Sequence, residues 1–420
     1  MSASHVIIGD GIAGSSAAET IREADADASV TVITDEGEAL YNRILIKEFA
    51  KGKMPAGPIS IHDEEWYEDR DIDLRLNTMV TSVDTDAHEI NLHTGETIEY
   101  DSLLVATGGT PTQLPVDGSD ADGVHHFWTF QDARAIQEHA ERADTGAVIG
   151  AGLLGIDLAA ICGAQDVEAN YLMRGNAWWR YALSEEGAEI IHDALRENNV
   201  TPVFDSGVDH FDVNDDGEVV GVEDPNGDYY DADFVGVAIG LNYNTEFLQG
   251  SGIERTDDGS IVVDEQMRTN VEDVYAAGDL TYFYDVILED QAQNGAWGSA
   301  KEQGSIAGTN MTFDQGVEVD EATFEWVSSY SITHFDFPFL SFGHPTLGDD
   351  DVEKKYSDDE WRRVAIKDGK VVGGVLIGNL APQSKLKKLA RDRIDVSDKK
   401  ELLLEDTIDL EKFEPVEAEQ

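Results

Sequence analysis

The chain has 420 residues, 41% of them hydrophobic; apolar runs recur along its whole length, so it reads as a globular protein of two or three domains rather than a disordered one. Its 86 Asp and Glu against 29 Lys and Arg give a net charge of −57, which excludes a nucleic-acid partner because both surfaces would be negative. Such self-repulsion opposes a compact state in dilute buffer but is largely screened at ~1 M salt, where the Debye length is ~3 Å, so the composition points to a salty cytoplasm.

The first predicted strand, "HVIIG", begins at His5 and leaves no room for a signal peptide. No apolar run approaches the ~20 residues that span a bilayer, so a soluble, cytoplasmic chain without a membrane partner is expected. A helix, "GIAGSSAAETIREA", and a strand, "SVTVITDE", ending in Asp35 and Glu36, follow. After "YNRILIKEF" the pattern predicts a meander, "MVTSVD", "HEINLHTGETIEY" with a turn at Thr94-Gly95, and "SLLVATGG". A second strand–turn–helix unit starts at Gly146 and runs to about Asn199. It contains the single cysteine, Cys162, which permits no internal disulfide and falls on an apolar helix face as a small core residue. Hairpins over "PVFDSGVDHFDV", "EVVGVED" and "DFVGVAIGL" come next, then a short strand, "DVYAAGDL", and a helix from about Trp297 to Met311. Beyond Thr312 the chain turns to aromatic, Lys-containing hairpins, a basic helix, "PQSKLKKLARDR", and an acidic tail.

Two of these units carry the same device. Gly9, Gly11 and Gly14, and again Gly150, Gly152 and Gly155, stand between an apolar strand and a helix. In such a turn the first glycine makes the bend, the second lets the backbone approach a pyrophosphate, and the third lets helix pack on strand; the helix N-terminus supplies partial positive charge. For the first copy an acid at the end of the next strand holds a ribose hydroxyl, and Asp35 and Glu36 are placed for it. The chain is therefore expected to bind two dinucleotides.

"HVIIGDGIAG", "LLVATGGTP", "AVIGAGLLGIDLA" and "VYAAGDL" occur in the order and spacing of the pyridine nucleotide-disulfide oxidoreductase superfamily, which the chain resembles over nearly its whole length. "LYNRILIKEF" and "GAWGSAKEQGSIAGTNM" are similar to the rubredoxin and ferredoxin reductases and the flavin domains of nitrite reductases, and no cysteine stands where disulfide reductases carry theirs. The resemblance implies an α/β fold with two Rossmann-like dinucleotide-binding domains and a small α+β C-terminal domain. FAD would bind to residues 1–112 and 241–312, NAD(P)H to 113–240, and residues 313–420 would form the third domain. It implies that Gly9, Gly11 and Gly14 seat the FAD pyrophosphate, that Glu36 or Asp35 binds its ribose, and that Arg43 lies on the pyrophosphate side. Lys47 would approach the flavin ring, Thr107 and Gly108 would flank it, and Asp279 after Gly278 would accept a ribitol hydroxyl. Trp297 either faces the flavin and nicotinamide rings or is an ordinary packing residue. In the nicotinamide half, Asp157 replaces the usual Glu, and Met173 stands where NAD users commonly have an acid, with Arg174 and Arg180 close by.

The activity implied is hydride transfer from NAD(P)H to FAD and onward electron transfer to a small redox protein. Two alternatives stay open: a quinone or dioxygen as acceptor, or a slow redox-sensing flavoprotein of the apoptosis-inducing-factor kind. The hydride step needs no side-chain acid or base, and no metal site is expected. Residues 354–420 hold 14 basic and 15 acidic residues, a net charge of −1, against 15 basic and 71 acidic, net −56, in the first 353. Lys385, Lys387, Lys388, Arg391 and Arg393 are therefore either a docking patch for an acidic ferredoxin or rubredoxin or the solvated face of a helix.

Overall fold

Strands of three to five residues with most positions apolar suit a parallel sheet covered on both faces, and two such sheets form. The computed structural model describes residues 3–332, 334 and 338–413. Its α-helices are α1 (Ile12–Ala24), α2 (Ile46–Ala50), α3 (Glu64–Glu68), α4 (Phe130–Ala140), α5 (Leu153–Ala164), α6 (Glu185–Glu197), α7 (Trp297–Asp314) and α8 (Gln383–Arg391). The chain divides into two compact units: one of residues 1–42, 57–110 and 241–328, the other of 43–56, 111–240 and 329–420.

In the first unit the strands Val274–Ala276, Ser102–Val105, Ser4–Ile8, Ser29–Ile33 and Ile72–Arg75 lie side by side in that order, every pair parallel. From Ser4–Ile8 the chain goes by α1 to Ser29–Ile33 on one side, while Ser102–Val105 joins on the other, so the turn after Ile8 lies where the strand order reverses. Helices α1 and α7 pack through small residues: a Cβ on Gly304 would stand 2.0 Å from the Ala13 carbonyl oxygen, and one on Gly308 2.7 Å from that of Ala17. The constant offset between these contacts makes the helices run in the same direction. The predicted meander forms a three-stranded antiparallel sheet, Val80–Asp84, Glu89–Leu92 and Thr97–Glu99, before the strand Ser102–Val105 returns to the parallel sheet.

The second unit repeats the plan with Val200–Val203, Glu168–Leu172, Thr145–Ile149, Phe234–Val237 and Val124–His126, again all parallel. Its C-terminal part is a five-stranded antiparallel sheet in the order Ser329–Ile332, Phe339–Gly343, Lys370–Ile377, Trp361–Lys367 and Asp350–Lys355, with α8 beside it. Gly187 of α6 makes room for Trp361, whose ring would lie 2.9 Å from a Cβ there. Trp178, Trp179 and Phe339 form an aromatic cluster with centroids 5.7–5.9 Å apart. The parallel sheet of this unit and the C-terminal antiparallel sheet are thus joined by shared packing. Among the described residues no helix is long and apolar enough to cross a membrane.

Candidate functional site

In the first unit Gly9 has φ +108°, a conformation glycine adopts freely, and a Cβ there would lie 2.3 Å from the Ala106 carbonyl oxygen. Gly14 would bring a Cβ to 1.9 Å from Gly9 O, whereas a Cβ on Gly11 would meet nothing within 4 Å. The outer glycines are required by the protein's own packing, and the middle one leaves an open approach to backbone. Gly11 caps α1 and, as a glycine, makes no side-chain hydrogen bond to the first-turn N–H groups, the groups that an anion at a helix N-terminus meets. Helix α7 likewise follows an N-cap, Ala296, that makes no side-chain hydrogen bond; in its first turns Ser299 Oγ and Gln303 Nε2 are buried with no hydrogen-bond partner among the described residues. A buried polar atom without a partner is costly, and a polar heterocycle along this end of α7 would supply what they lack.

The other residues expected here have definite partners. Glu36 is half-buried and accepts from Tyr41 Oη at 2.7 Å, while Asp35 is exposed; both stand beyond the strand end at Ile33. Thr107 donates its hydroxyl to Asn244 O at 2.7 Å, and the Asn244 amide reaches back to Thr107 O at 3.2 Å, so Thr107 and Gly108, at φ +57°, are pinned by a residue the sequence did not single out. Gly278 donates its N–H to Gln303 Oε1 at 2.8 Å, and the bare Gly295 lies against Asp279, 3.5 Å from its carboxyl carbon to a Cβ built there. Trp297 begins α7 half-buried. Asp10, inside the glycine turn, accepts a 2.6 Å hydrogen bond from Tyr67 Oη. The first unit therefore fits FAD: an open phosphate turn, an acid beyond the second strand, Asp279, and unsatisfied polar atoms along α7.

The second unit reproduces the turn. Gly150 has φ +112° and would bring a Cβ to 2.1 Å from Ala238 O; Gly155 would clash with Gly150 O at 2.0 Å and with Tyr171 Oη at 2.4 Å; Gly152 again meets nothing. Gly152 caps α5 and makes no side-chain hydrogen bond, and Tyr171 Oη, donating to Gly150 O at 2.8 Å, braces the turn. Met173 is fully buried and offers nothing to a ribose. Arg174 and Arg180 are exposed on the loop after it; the Arg180 guanidinium lies over Gly175, 2.6 Å from a Cβ built there. Asp205 joins the same loop through its N–H to Gly175 O at 3.1 Å. These residues fit a nicotinamide dinucleotide.

Lys47 and Arg43 belong to this second unit. Arg43 donates to Trp128 O at 2.9 Å. Lys47, 7% exposed, lies 3.4 Å from Oδ1 of Asp157, itself 4% exposed. The same Oδ1 accepts from His334 Nε2 at 2.5 Å, and Oδ2 accepts from Tyr330 Oη at 3.2 Å. His334 Nδ1 faces Lys51 Nζ at 2.7 Å, and Lys51 donates to Glu48 at 2.9 Å. Burial alone would raise the Asp157 carboxyl, but the hydrogen bond from His334 and the charge of Lys47 hold it below the usual range. Burial lowers both Lys51 and His334 despite their partners. Asp157, which stands where relatives have a Glu, is held by three donors inside the unit.

On α8 Lys388 pairs with Asp392, Arg391 lies 3.0 Å from the same carboxylate, and Lys385 donates to Ile408 O. Lys387 is half-buried and lowered by desolvation; Arg393 follows the helix at φ +53°. Among the described residues no group of His, Cys, Asp and Glu is placed to hold a metal ion.

A family model described as pyridine nucleotide-disulphide oxidoreductase matches residues 3–304. An NADH oxidase of Methanocaldococcus jannaschii is 30% identical over 321 residues, 74% of this chain and 70% of that one. Rhodocoxin reductase of Rhodococcus erythropolis is 31% identical over 275 residues, 65% of this chain and 64% of its own length, just under two thirds. In the solved covalent complex of putidaredoxin reductase with putidaredoxin, the matching chain has a TM-score of 0.89 at 22% identity, with 98% of both chains covered; at that identity the likeness speaks for the fold.

Proposed function

The chain belongs to the pyridine nucleotide-disulphide oxidoreductase family as an FAD-dependent NAD(P)H oxidoreductase, and from that premise we propose that it passes electrons from NAD(P)H through FAD to a small acidic redox protein. The observation that carries the reading is the pair of glycine turns, each opening an uncapped helix with free space over its middle glycine. FAD, when bound, supplies the conversion of a two-electron donor into one-electron steps. This chain's residues do the rest: Gly11 and Gly152 admit the two pyrophosphates, Glu36 and Asp279 hold sugar hydroxyls, and Thr107 and Gly108 flank the ring. Cys162 is buried and its thiol is pushed up to about 12, which fits a reaction without a redox cysteine. The test is direct. The purified protein should be yellow, with one FAD per chain bleached by anaerobic NAD(P)H, and Asp279→Ala should lose flavin while the nicotinamide half stays folded. A colourless protein that cannot be reconstituted with FAD overturns the reading.

A protein acceptor is supported by relatives whose partners are rhodocoxin and putidaredoxin, and by the nearly neutral C-terminal region of an otherwise acidic chain. Docking would use α8, where an acidic partner must compete with Asp392 for Lys388 and Arg391. A local basic patch steers such a partner and fixes its register. Lys387→Glu with Lys388→Glu should raise KM for an acidic ferredoxin or rubredoxin several-fold and leave NAD(P)H reduction of the flavin unchanged; unaltered acceptor kinetics across a salt series would remove the patch. The second reading, dioxygen or a quinone as acceptor, is favoured by the NADH oxidase relative, and comparing turnover with each acceptor decides between them.

NADPH is the preferred donor in this reading. With Met173 buried, the strand end offers no acid against a 2′-phosphate, and Arg174 and Arg180 stand exposed on the loop after it, Arg180 donating to Tyr181 Oη at 2.7 Å, a contact a phosphate would replace. Arg174→Ala with Arg180→Ala should cut kcat/KM for NADPH by roughly tenfold or more, the worth of a charge-assisted hydrogen bond, and spare NADH. A tenfold preference of the unaltered protein for NADH contradicts this.

A further inference from the structure

Asp157 and Lys47 come from α5 and α2, but two of their neighbours come from much later in the chain. Tyr330 stands in the strand Ser329–Ile332 and His334 just past it. The hydrogen bonds fix the imidazole's state. An ammonium carries donors only, so Lys51 Nζ at 2.7 Å from Nδ1 makes that nitrogen an acceptor. The proton then sits on Nε2, which donates to Asp157 Oδ1 at 2.5 Å. A neutral Nε2–H imidazole is thus placed between a lysine and a carboxylate, in a cluster where His334 is 2% exposed. Among the described residues, titratable groups that face it are Lys47, Glu48 and Lys51 on α2, Asp157 on α5, and Tyr330 on its own segment; Tyr171, from the strand Glu168–Leu172, stands near Tyr330.

We infer that His334 is a positioning residue for the Lys47–Asp157 pair: the C-terminal segment reaches the dinucleotide-binding helix α5 and fixes both the orientation of its carboxylate and, through it, Lys47. The inference rests on the proposed function, in which α5 opens the nicotinamide site. Three features argue for positioning rather than mere filling. The imidazole uses both nitrogens on charged partners. It gives Lys51 a second acceptor beside Glu48, while Lys47 faces Asp157. It also donates to the Asp157 oxygen that faces Lys47, so this short acid acts by anchoring Lys47. Tyr330 secures the other carboxylate oxygen, leaving Asp157 little freedom to rotate.

Glutamine separates positioning from proton chemistry, because its amide can donate to Asp157 and accept from Lys51 but cannot relay a proton. His334→Gln should retain stopped-flow reduction of bound FAD by NAD(P)H within about twofold, whereas His334→Leu should slow it at least tenfold with FAD still bound and with little change in nucleotide Kd. Nitrogen-15 NMR of histidine-labelled protein, assigned with His334→Gln, should show the neutral Nε2–H tautomer from pH 6 to 8 whether or not nucleotide is added. If His334→Leu does not fold, Lys51→Met serves in its place: freed of the facing ammonium, His334 should then titrate upward. Wild-type reduction rates in His334→Leu overturn the inference, as does a His334→Gln variant as slow as His334→Leu, or an Nδ1–H or doubly protonated ring at pH 7. A wild-type protein that NAD(P)H does not reduce would overturn the proposed function instead, and the NMR result would stand apart from it.

Discussion

Asp157→Ala should destabilise the second unit by about 3–5 kcal/mol, the cost of removing one partner from a buried ion pair. The carboxylate is the meeting point of Lys47, His334 and Tyr330. Without it, two lysine side chains and an imidazole stay in a cavity whose remaining acid, Glu48, already serves Lys51 and is partly solvated. For a unit of this size each kcal/mol moves the melting temperature by roughly 2–4 °C, so a fall on the order of 10 °C is expected. The pH dependence follows from the direction of each shift. The Asp157 carboxyl lies below its unfolded value, so its stabilisation is full above ~pH 4 and is lost as pH falls through the folded value. His334 also lies below its unfolded value; there the unfolded chain binds the extra proton, so acidification below ~6.5 already favours unfolding. Asp157→Ala should lack the lower, carboxylate part of this acid limb. A variant melting within 2 °C of the unaltered protein would show that the cluster contributes no stability.

The glycine turns were legible because their cause is local. Gly14 is needed by Gly9, five residues away, and Gly155 by Gly150, so strand, turn and helix can be read from one short stretch. The Lys51–His334–Asp157 contacts were not legible, because they join residues 283 and 177 positions apart, and nothing in "SYSITHFDF" marks one histidine as a partner of α5. Asn244, which pins Thr107 across 137 residues, was missed for the same reason. Resemblance placed Lys47 by its role toward a ring, whereas its partner within the protein, Asp157, is a packing outcome. The basic helix is a different case. Asp392 stands four residues after Lys388, a spacing that allows an ion pair on a helix surface, so the partial neutralisation of α8 is legible in the stretch "KKLARD" alone.

Raising KCl from ~0.1 M to ~2 M should increase both the melting temperature and flavin retention, with a shift on the order of 10 °C or more. The cause is the 71 acids against 15 bases in the first 353 residues, whose repulsion acts over the ~10 Å Debye length of dilute buffer and little beyond the ~3 Å of molar salt. Surface ion pairs weaken over the same range, but each is worth at most about 1 kcal/mol and some of the chain's cations, Lys47 and Lys51, are buried where salt reaches them least. Repulsion relief should therefore exceed ion-pair loss. The same screening bears on the acceptor. At molar salt a basic patch on α8 steers a partner only at contact, so the charge-reversal variant should differ most from the unaltered protein at ~0.2 M and least at ~2 M. A melting temperature independent of KCl would remove the reading of this composition as an adaptation to salt. A charge-reversal effect that grew with salt would show that α8 acts through packing rather than through its charge.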